Sequence, residues 1–426
     1  MDPPTSASAT AYLTFPWMTK PLFSFISFVI RAMEGSPINL LGFLSPPWKA
    51  TELFAYVVPF LADAVKAGSN EALVSTPPIP WRTRLCIAMS SLAIDAVRRP
   101  DGTVRRFLSL LDVTVGPDAS PARGVRTADV PVDPSRGLWF RLFLPALHQI
   151  TGTGKLPIVV FFHGGGFAFF SPASWVFDAF CRRICHQTGA AVVSVNYRLA
   201  PEHRCPAPYV DGVDVLRFLD SYPSNSGGFR HGGPSGGKLL QNFFEAADLS
   251  KCFVVGDSAG GNIAHHVAHR WTAGGPPLTK GRIRLVGLVV IQPFFGGESR
   301  VESEVRLARD PLLLVNTERT DWLWRVFLPM GACRDHEASN PAAAVEGVGD
   351  GFPPAMVVVG GLDPLKGWQT EYVESLRKME KEAMLVEYPD ALHGFIVLPG
   401  LGASVATLVE EMRMFIQKHL PTSRAA

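Results

Sequence analysis

The stretch Cys252–Asn262, which reads CFVVGDSAGGN, constrains the fold of this chain more than any other. A short apolar run, Cys252–Val255, leads into a G-x-S-x-G sequence centred on Ser258, and small and apolar residues then continue with helical spacing. This order predicts a buried strand, a sharp turn and a helix. The small residues let strand and helix pack closely, which holds the serine in a strained conformation with its hydroxyl exposed. Read alone, the same residues also fit a tight turn in which Ser258 caps the helix.

A glycine-rich segment upstream supplies a second element of the same chemistry. The apolar run Leu156–Phe162 predicts a buried strand, and it ends in the sequence HGGGF at His163–Phe167. Three consecutive glycines leave backbone N–H groups unobstructed, and such groups stabilise a tetrahedral oxyanion together with the N–H after the nucleophile. A phosphate-binding loop is the alternative, but neither phosphate-loop consensus is completed here. We therefore expect an oxyanion hole formed by Gly164, Gly165, Gly166 and Ala259.

Two further strands are followed by residues that complete a possible catalytic site. Ala355–Val359 is an apolar run followed by Asp363, and Met384–Tyr388 precedes His393. The carboxyl ends of successive parallel strands meet at one edge of a sheet, where the serine turn also emerges. A serine hydroxyl needs a base to take its proton and an acid to orient that base, so Ser258, His393 and Asp363 form a predicted triad. For His393 alone, a loop histidine bonded to the backbone is the structural alternative.

Five motifs together resemble the plant carboxylesterases of the hormone-sensitive-lipase-like group, and they fall in that family's order and spacing. The resemblance extends from about residue 80 to about residue 420. It implies an α/β-hydrolase fold, with a mostly parallel central sheet, helices on both faces and a helical cap. It also implies a serine hydrolase that cleaves carboxylic esters. The motifs are HGGGF at His163–Phe167, YRLAPEH at Tyr197–His203, GDSAGGN at Gly256–Asn262, GLDPL at Gly361–Leu365 and YPDALHGF at Tyr388–Phe395.

The same family contains proteins with other functions. It includes the gibberellin receptors, which resemble esterases that have lost the catalytic histidine, and hydroxyisoflavanone dehydratases. The retained His393 favours an active carboxylesterase for small esters over a receptor-like binder, whereas a dehydratase on the same scaffold stays open. One departure from the family is Gly367, where relatives usually carry an acidic residue. No supporting carboxylate is therefore expected at that position.

The chain is divided into an extension, one enzyme domain and a short tail. Residues 1–79 form an extension with no assigned role, residues 80–420 the predicted α/β-hydrolase domain, and residues 421–426 the tail. The resemblance implies that an amphipathic helix at Trp81–Val97 belongs to a lid over the active site. It also implies that an insertion at about 293–352 forms a cap. Five aromatic residues of this insertion are candidates for an apolar pocket, although we expect core packing for at least half of them: Phe294, Phe295, Trp322, Trp324 and Phe327.

The remaining pattern alternates between strands and helices, which favours a parallel sheet. An antiparallel hairpin of Val125–Val132 with Leu138–Leu144 is expected at its start. The Gly- and Ser-rich segment Ser224–Lys238 is predicted to be an exposed loop. Further predicted strands are Ala190–Val195 and Ile283–Gln292, and further predicted helices are Trp175–Thr188, Pro206–Tyr222, Trp368–Lys381 and Ala403–His419.

Composition limits the partners and the compartment. Among 426 residues, 40 basic and 38 acidic side chains give a net charge of +2, so no general attraction to nucleic acid is expected. The apolar segment Leu22–Ala32 is too short to span a bilayer and lacks the features of a signal peptide, so no stable membrane insertion is expected. Six cysteines without a C-x-x-C pair predict buried free thiols in a reducing compartment. These features favour the cytoplasm, with the nucleus or an organelle address in the extension left open.

No cofactor or metal is expected. His265 and His269 have the i, i+4 spacing of metal ligands on a helix, but no acidic partner of the H-E-x-x-H kind accompanies them. Glu202 and His203 resemble a catalytic pair, whereas the family resemblance implies that they brace the loops beneath the site. The expected partner is a small-molecule ester, and a protein partner is expected only if the chain is receptor-like.

Overall fold

The computed structural model describes residues 79–106, 112–118, 124–146, 155–222, 234–273, 281–308 and 313–420. Predictions for the extension, including the segment Leu22–Ala32, and for the tail lie outside the described residues. Within the described ranges, none of the helices combines the length and the apolar character that a membrane crossing requires.

In this part of the chain, eight strands form one sheet in the order β1-β2-β4-β3-β5-β6-β7-β8. β1 pairs antiparallel with β2, and β2 pairs antiparallel with β4, whereas the other neighbours are parallel. The predicted hairpin and the mostly parallel sheet are thus confirmed. The strands are β1 Val125–Asp133, β2 Leu138–Pro145, β3 Leu156–Phe162, β4 Ala191–Asn196, β5 Ala247–Asp257, β6 Leu285–Ile291, β7 Ala355–Leu362 and β8 Ala383–Leu392.

Helices alternate with the parallel strands, as the pattern predicts. The α-helices of the described residues are α1 Trp81–Val97, α2 Trp175–Thr188, α3 Ala207–Ser221, α4 Pro234–Ala246, α5 Ala259–Ala273, α6 Glu302–Leu307, α7 Thr317–Phe327, α8 Pro341–Ala344, α9 Lys366–Lys378 and α10 Gly402–His419. Short 3₁₀ turns lie at Pro134–Arg136 and Phe395–Val397. The predicted helices α1 and α2 have the predicted bounds, and the others shift by one to three residues.

Apolar residues of the central strands are buried on both faces of the sheet. In β5, Val254 belongs to one core, whereas Phe253 and Val255 belong to the other, because successive strand residues point to opposite faces. Ala264 of α5 covers the first core, and Met412 of α10 covers the second. A strand that is buried on both faces reads as a continuous apolar run, which is why the sequence identified β3 and β5 so clearly.

Two sequence expectations are wrong in the structure. The sequence predicts a loop at Ser224–Lys238, but its last part, Pro234–Lys238, forms the start of α4, while residues 224–233 lie outside the described part. Leu239 and Phe243 of this helix are buried, so packing stabilises a helix that glycine and proline alone disfavour. Of the six free cysteines, Cys333 is exposed and Cys86 is half-buried, so the expectation of buried thiols holds for the other four.

Candidate active site

The turn around Ser258 joins β5 to α5 at the carboxyl edge of the sheet. Ser258 has a φ of 53°, in the left-handed region that rarely suits a side chain. A Cβ on Gly256 would lie 2.0 Å from the carbonyl oxygen of Gly260, and one on Gly260 would lie 2.0 Å from that of Phe162. The N–H of Ser258 donates to the carbonyl of Ile291 at 2.8 Å, which fixes the turn against β6. The local fold therefore matches the predicted strand, sharp turn and helix.

A chain of two hydrogen bonds connects Ser258, His393 and Asp363. The Oγ of Ser258 lies 2.8 Å from Nε2 of His393, and Nδ1 of His393 lies 2.7 Å from Oδ2 of Asp363. Because a carboxylate only accepts hydrogen bonds, the Nδ1–H donates to Asp363, which leaves Nε2 to accept the serine proton. All three side chains are buried, so the expected exposure of the Ser258 hydroxyl is wrong in this structure, where the hydroxyl lies against the His393 ring. The structure thus brings together the three residues of the predicted triad.

The charges around His393 favour its protonated form. Burial by itself lowers the pKa of His393, but the neighbouring Asp363 and the charge of Asp257 raise that pKa above its ordinary value. Asp363, joined by Asp257 at a pH where that acid is ionised, would therefore stabilise an imidazolium at His393.

Three further groups hold the Asp363 carboxylate in place. Nε2 of Gln292 and Nε2 of Gln369 donate to Oδ2 at 3.0 and 2.8 Å, and the N–H of Leu365 donates to Oδ1 at 2.9 Å. Asp363 is fully buried, and a buried carboxylate is tolerated only when its oxygens are hydrogen-bonded. These donors fix the acid in the orientation that meets Nδ1 of His393. Sequence analysis missed both glutamines.

Gln292 also connects the acid to the loop that carries His393. Its Nε2 donates to the carbonyl of Leu392 at 3.0 Å, and its Oε1 accepts from the N–H of Gly394 at 2.8 Å. The residues on both sides of the histidine are therefore held by one side chain. Gln292 directly follows β6, the neighbour of β5, and this position at the carboxyl end of a buried strand is a sequence signal that it lies near the site, although the signal does not identify its partners.

The glycine loop, residues 163–166, follows β3 and lies beside the serine turn. Gly165 and Gly166 have φ values of 107° and 58°, and a Cβ on Gly166 would lie 2.5 Å from the side chain of Leu323. Glycine is therefore required there for both backbone conformation and space. Ala259 is the first residue of α5, where backbone N–H groups lack partners within the helix. The residues of the predicted oxyanion hole thus follow two adjacent strands of the sheet: Gly164, Gly165, Gly166 and Ala259.

His163, at the start of the glycine loop, supports the loop from below. Its Nδ1 lies 2.8 Å from the carbonyl oxygen of Gly164, and its ring stacks on Tyr197 with centroids 4.3 Å apart. The hydroxyl of Tyr197 donates to the carbonyl of His163 at 2.8 Å. Burial lowers the pKa of His163 to about 4, so the ring is neutral near pH 7.

Asp257 is a buried acid for which sequence analysis assigned no role. Its Oδ1 has no hydrogen-bond partner within the described residues, and Oδ2 faces the glycine loop, since a Cβ on Gly164 would lie 2.4 Å from it. Burial raises the pKa of Asp257 to about 7, with a further contribution from Asp363 and an opposing one from His393. The acid is therefore largely protonated in mildly acidic solution.

Helix α7, between β6 and β7, packs against the glycine loop. Phe327 stacks on Phe167 with ring centroids 3.6 Å apart, and Trp324 contacts the same phenylalanine ring at 5.5 Å. The expectation of core packing for at least half of the candidate pocket aromatics is confirmed, because all five are buried: Phe294, Phe295, Trp322, Trp324 and Phe327. They stabilise the segment between β6 and β7 rather than line an exposed pocket.

Two other candidate groups have structural partners. Nδ1 of His265 lies 2.8 Å from the hydroxyl of Tyr372 and its Nε2 lies 2.9 Å from the carbonyl of Ala344, so both ring nitrogens are used. In the ranges that the structure describes, no group of three or more His, Cys, Asp or Glu residues is arranged to hold a metal ion. Glu202 is exposed and forms an ion pair with Arg106 at 2.6 Å, and His203 is exposed beside it.

Known proteins resemble this chain over most of its length. A sequence profile of the α/β-hydrolase fold matches residues 159–397. The gibberellin receptor GID1C of Arabidopsis thaliana is 37% identical over 369 residues, which cover 82% of this chain and 98% of the receptor. Carboxylesterase 20 of the same plant is 36% identical over 300 residues, which cover 68% of this chain and 86% of that enzyme. Among solved structures, an esterase of Pyrobaculum calidifontis superposes with a TM-score of 0.59 at 24% identity, covering 80% of this chain and 99% of the esterase.

Proposed function

The chain belongs to the α/β-hydrolase family, and on that premise we propose that it is a carboxylesterase that hydrolyses small carboxylic esters. Within the family it falls in the hormone-sensitive-lipase-like group that includes plant carboxylesterases and gibberellin receptors. The observation that carries the proposal is the hydrogen-bonded chain from Ser258 through His393 to Asp363. A strained serine with a base in contact and a buried acid behind it is the arrangement that activates a weak hydroxyl.

In the first half-reaction, Oγ of Ser258 attacks the ester carbonyl carbon while Nε2 of His393 takes the hydroxyl proton. The carbonyl electrons move to oxygen and form a tetrahedral oxyanion. Asp363 keeps the imidazole in the correct tautomer and stabilises its positive charge. When the intermediate collapses, the bond to the alcohol oxygen breaks, His393 gives its proton to that oxygen, and the acyl group stays on Ser258.

In the second half-reaction, water replaces the alcohol. His393 takes a proton from the water as its oxygen attacks the acyl carbon, and a second tetrahedral oxyanion forms. Collapse of this intermediate breaks the bond to Oγ, and His393 returns the proton to Ser258. One water is consumed for each ester, and the enzyme needs no cofactor for either step.

We assign the developing oxyanion to backbone N–H groups, since donors fixed before the reaction stabilise charge without reorganisation. The donors are proposed to come from Gly164, Gly165, Gly166 and Ala259. The catalytic domain is proposed to be residues 80–420, with about 293–352 as its cap and α1 as part of its lid. We propose the cytoplasm as its compartment, which fits the free state of the cysteines.

The gibberellin receptors among the relatives support one alternative, a protein that binds a small molecule without turnover. In that case the lid would offer a surface to a protein partner. The contact between Ser258 and His393 argues for the esterase, because a pure binder has no need of an activated hydroxyl. A dehydratase is distinguished by product mass, since hydrolysis adds one water to the substrate and dehydration removes one.

Hydrolysis of short-chain p-nitrophenyl esters, from acetate to hexanoate, tests the proposal. The wild type should release p-nitrophenol, and Ser258→Ala should lose several orders of magnitude in kcat while it keeps the wild-type circular dichroism spectrum. Wild-type turnover by folded Ser258→Ala would show that the mechanism is wrong. An inert wild type that binds a gibberellin would favour the receptor.

A further inference from the structure

The guanidinium group of Arg106 connects two loops at the candidate active site. Arg106 lies at the end of residues 98–106, the segment that follows α1. Its Nη1 donates to the carbonyl of Ala168, two residues beyond the glycine loop, and its Nη2 donates to the carbonyl of Ala200 at 2.5 Å. One side chain thus ties the turn after the glycine loop to the loop of residues 197–203.

Glu202 sets the direction of this guanidinium group. Nε of Arg106 donates to Oε1 of Glu202 at 3.0 Å, and Nη2 donates to Oε2 at 2.6 Å, which is a two-pronged contact. Both side chains are partly exposed, so the pair contributes orientation more than stability. The N–H of Ala200 also donates to the carbonyl of Phe167 at 2.9 Å, so the two loops meet at several points.

The turn that Arg106 contacts has an unfavourable backbone conformation. Besides the two glycines, Phe167 and Phe170 have φ values of 63° and 71°, in a region that bulky residues rarely adopt. The N–H groups of Ala168 and Phe169 both lie 3.1 Å from the carbonyl of Gly165 and close the turn. Strained conformations persist only where the surroundings hold them. The bond to the Ala168 carbonyl is one such restraint, and it acts next to the glycine loop.

The other end of residues 98–106 is bonded to α7. Nε1 of Trp322 donates to the carbonyl of Arg99 at 2.7 Å, and Arg98 pairs with Glu318 at 2.6 Å. Helix α7 itself contacts the glycine loop through Leu323. Residues 98–106 therefore run from α7 to the turn beside the glycine loop. Arg106 is the residue of this segment that bonds to the turn.

We propose that Arg106 is a positioning residue for the oxyanion hole: it holds the turn after the glycine loop in the conformation that aims the loop N–H groups at the oxyanion. This inference rests on the proposed esterase function. Arg106 makes no contact with the reacting atoms and acts through the backbone of residues 163–168. Because the donors must be aimed at a developing charge, a small displacement affects the transition state more than the bound ester.

Arg106→Lys keeps the positive charge but removes the planar fork that reaches both carbonyls and Glu202. Loss of one oxyanion donor in a hydrolase lowers kcat by about a hundredfold to a thousandfold, so a displaced loop should lower kcat between about tenfold and about a hundredfold. KM should change by less than about twofold, since ground-state binding is kept. Glu202→Gln should lower kcat less, because Arg106 keeps its carbonyl contacts.

A matched control is Arg282→Lys. Arg282 also donates to backbone carbonyls, of Leu219 at 3.2 Å and Asp220 at 2.8 Å, but these lie at the end of α3, away from the glycine loop. Its substitution should lower the melting temperature without changing kcat. The control separates the general cost of losing an arginine fork from an effect on the oxyanion hole.

The decisive readout is inhibition by an alkyl trifluoromethyl ketone. Ser258 adds to this carbonyl, its proton passes to His393, and the resulting tetrahedral oxyanion occupies the oxyanion hole. Arg106→Lys should weaken this inhibition by the same factor by which it lowers kcat. If Arg106 had only a structural role, the variant and the wild type would have the same kcat and the same affinity for the ketone when equal amounts of folded protein are compared.

The outcomes separate the two proposals. Loss of kcat and of ketone affinity in Arg106→Lys and, to a lesser degree, in Glu202→Gln supports the inference, provided that Arg282→Lys keeps both. Unchanged kinetics in Arg106→Lys, or a loss of kcat with unchanged ketone affinity, overturns it while the esterase stands. If Arg106→Lys does not fold, Glu202→Gln decides by the same two readouts. An inert wild type overturns the esterase and the inference together.

Discussion

Replacement of Asp257 by asparagine tests the electrostatics of the site. Asp257 is buried, its Oδ1 has no hydrogen-bond partner in the described chain, and burial together with the charge of Asp363 raises its pKa to about 7. Asparagine has nearly the same shape and does not titrate, so Asp257→Asn separates the effect of charge from that of packing.

The expected effect is a pH-dependent difference in the free energy of unfolding. Below about pH 4 the carboxyl is protonated in both the folded and the unfolded chain, so the two proteins respond to pH alike. Between about pH 4 and about pH 7 the unfolded chain releases this proton and the folded chain keeps it. The wild type therefore loses about 1.4 kcal/mol of stability per pH unit relative to the variant, or roughly 4 kcal/mol in all. Above about pH 7 the difference is constant.

Urea unfolding of both proteins, in steps of one pH unit from about 4.5 to about 8.5, measures this difference. Asp133→Asn is a control of opposite sign, because hydrogen bonds from Ser135 and Arg136 lower the pKa of Asp133 to about 2. The stability that these hydrogen bonds contribute is fully present above the ordinary pKa of an aspartate. It is lost only as the pH falls toward the lowered pKa of Asp133. The control should destabilise the protein by an amount that barely changes in this range. A constant difference for Asp257→Asn would refute the reasoning, since it would mean that Asp257 is ionised in the folded protein.

Two further substitutions test how the site is built. Gln292→Leu removes a donor to the catalytic acid and leaves buried backbone groups on both sides of His393 unpaired; we expect a loss of roughly 3–6 kcal/mol in urea unfolding and a lower kcat, and wild-type values of both would contradict this. Gly260→Ala places a methyl group 2.0 Å from a backbone carbonyl oxygen, whereas Gly261→Ala meets its nearest atom at 3.2 Å. Circular dichroism should show that only Gly261→Ala folds, and a folded Gly260→Ala would contradict the geometry of the turn.

Much of the site could be predicted from sequence because its residues belong to local motifs at the ends of strands. The apolar runs identify β3, β5 and β7 as buried strands, and the carboxyl ends of parallel strands meet at one edge of the sheet. The glycines around Ser258 are informative for a second local reason. They permit a close approach of the backbone that other residues cannot make, so the need for glycine is visible in the sequence itself.

The side chains that hold the triad and the glycine loop in place could not be predicted, because their roles depend on contacts between distant parts of the chain. Gln292 donates to Asp363 across 71 positions, and Arg106 reaches Ala168 across 62. No periodicity or spacing encodes such a pair. An isolated glutamine or arginine in a loop is usually a solvated side chain, and only the fold shows which one meets a buried carboxylate or a strained turn.

Helix α4 shows the limit of local propensity. Pro234, Gly236 and Gly237 favour a loop, so the sequence predicts a loop there. In the structure the helix begins at Pro234 and buries Leu239 and Phe243 in the core. Burial of such side chains contributes about 1.5–3 kcal/mol each, which exceeds the cost of about 1 kcal/mol for each helical glycine. Tertiary packing therefore decides the structure of this segment.

The central claim is that Ser258 is an activated nucleophile, and covalent trapping tests it most directly. The folded wild type is treated with an organophosphate p-nitrophenyl ester, and the modified peptide is located by mass spectrometry. We expect one phosphoryl group on Ser258, with release of p-nitrophenol, and no reaction at this residue in His393→Ala. Folded wild-type protein that forms no adduct, or that carries the adduct elsewhere, would contradict the esterase mechanism.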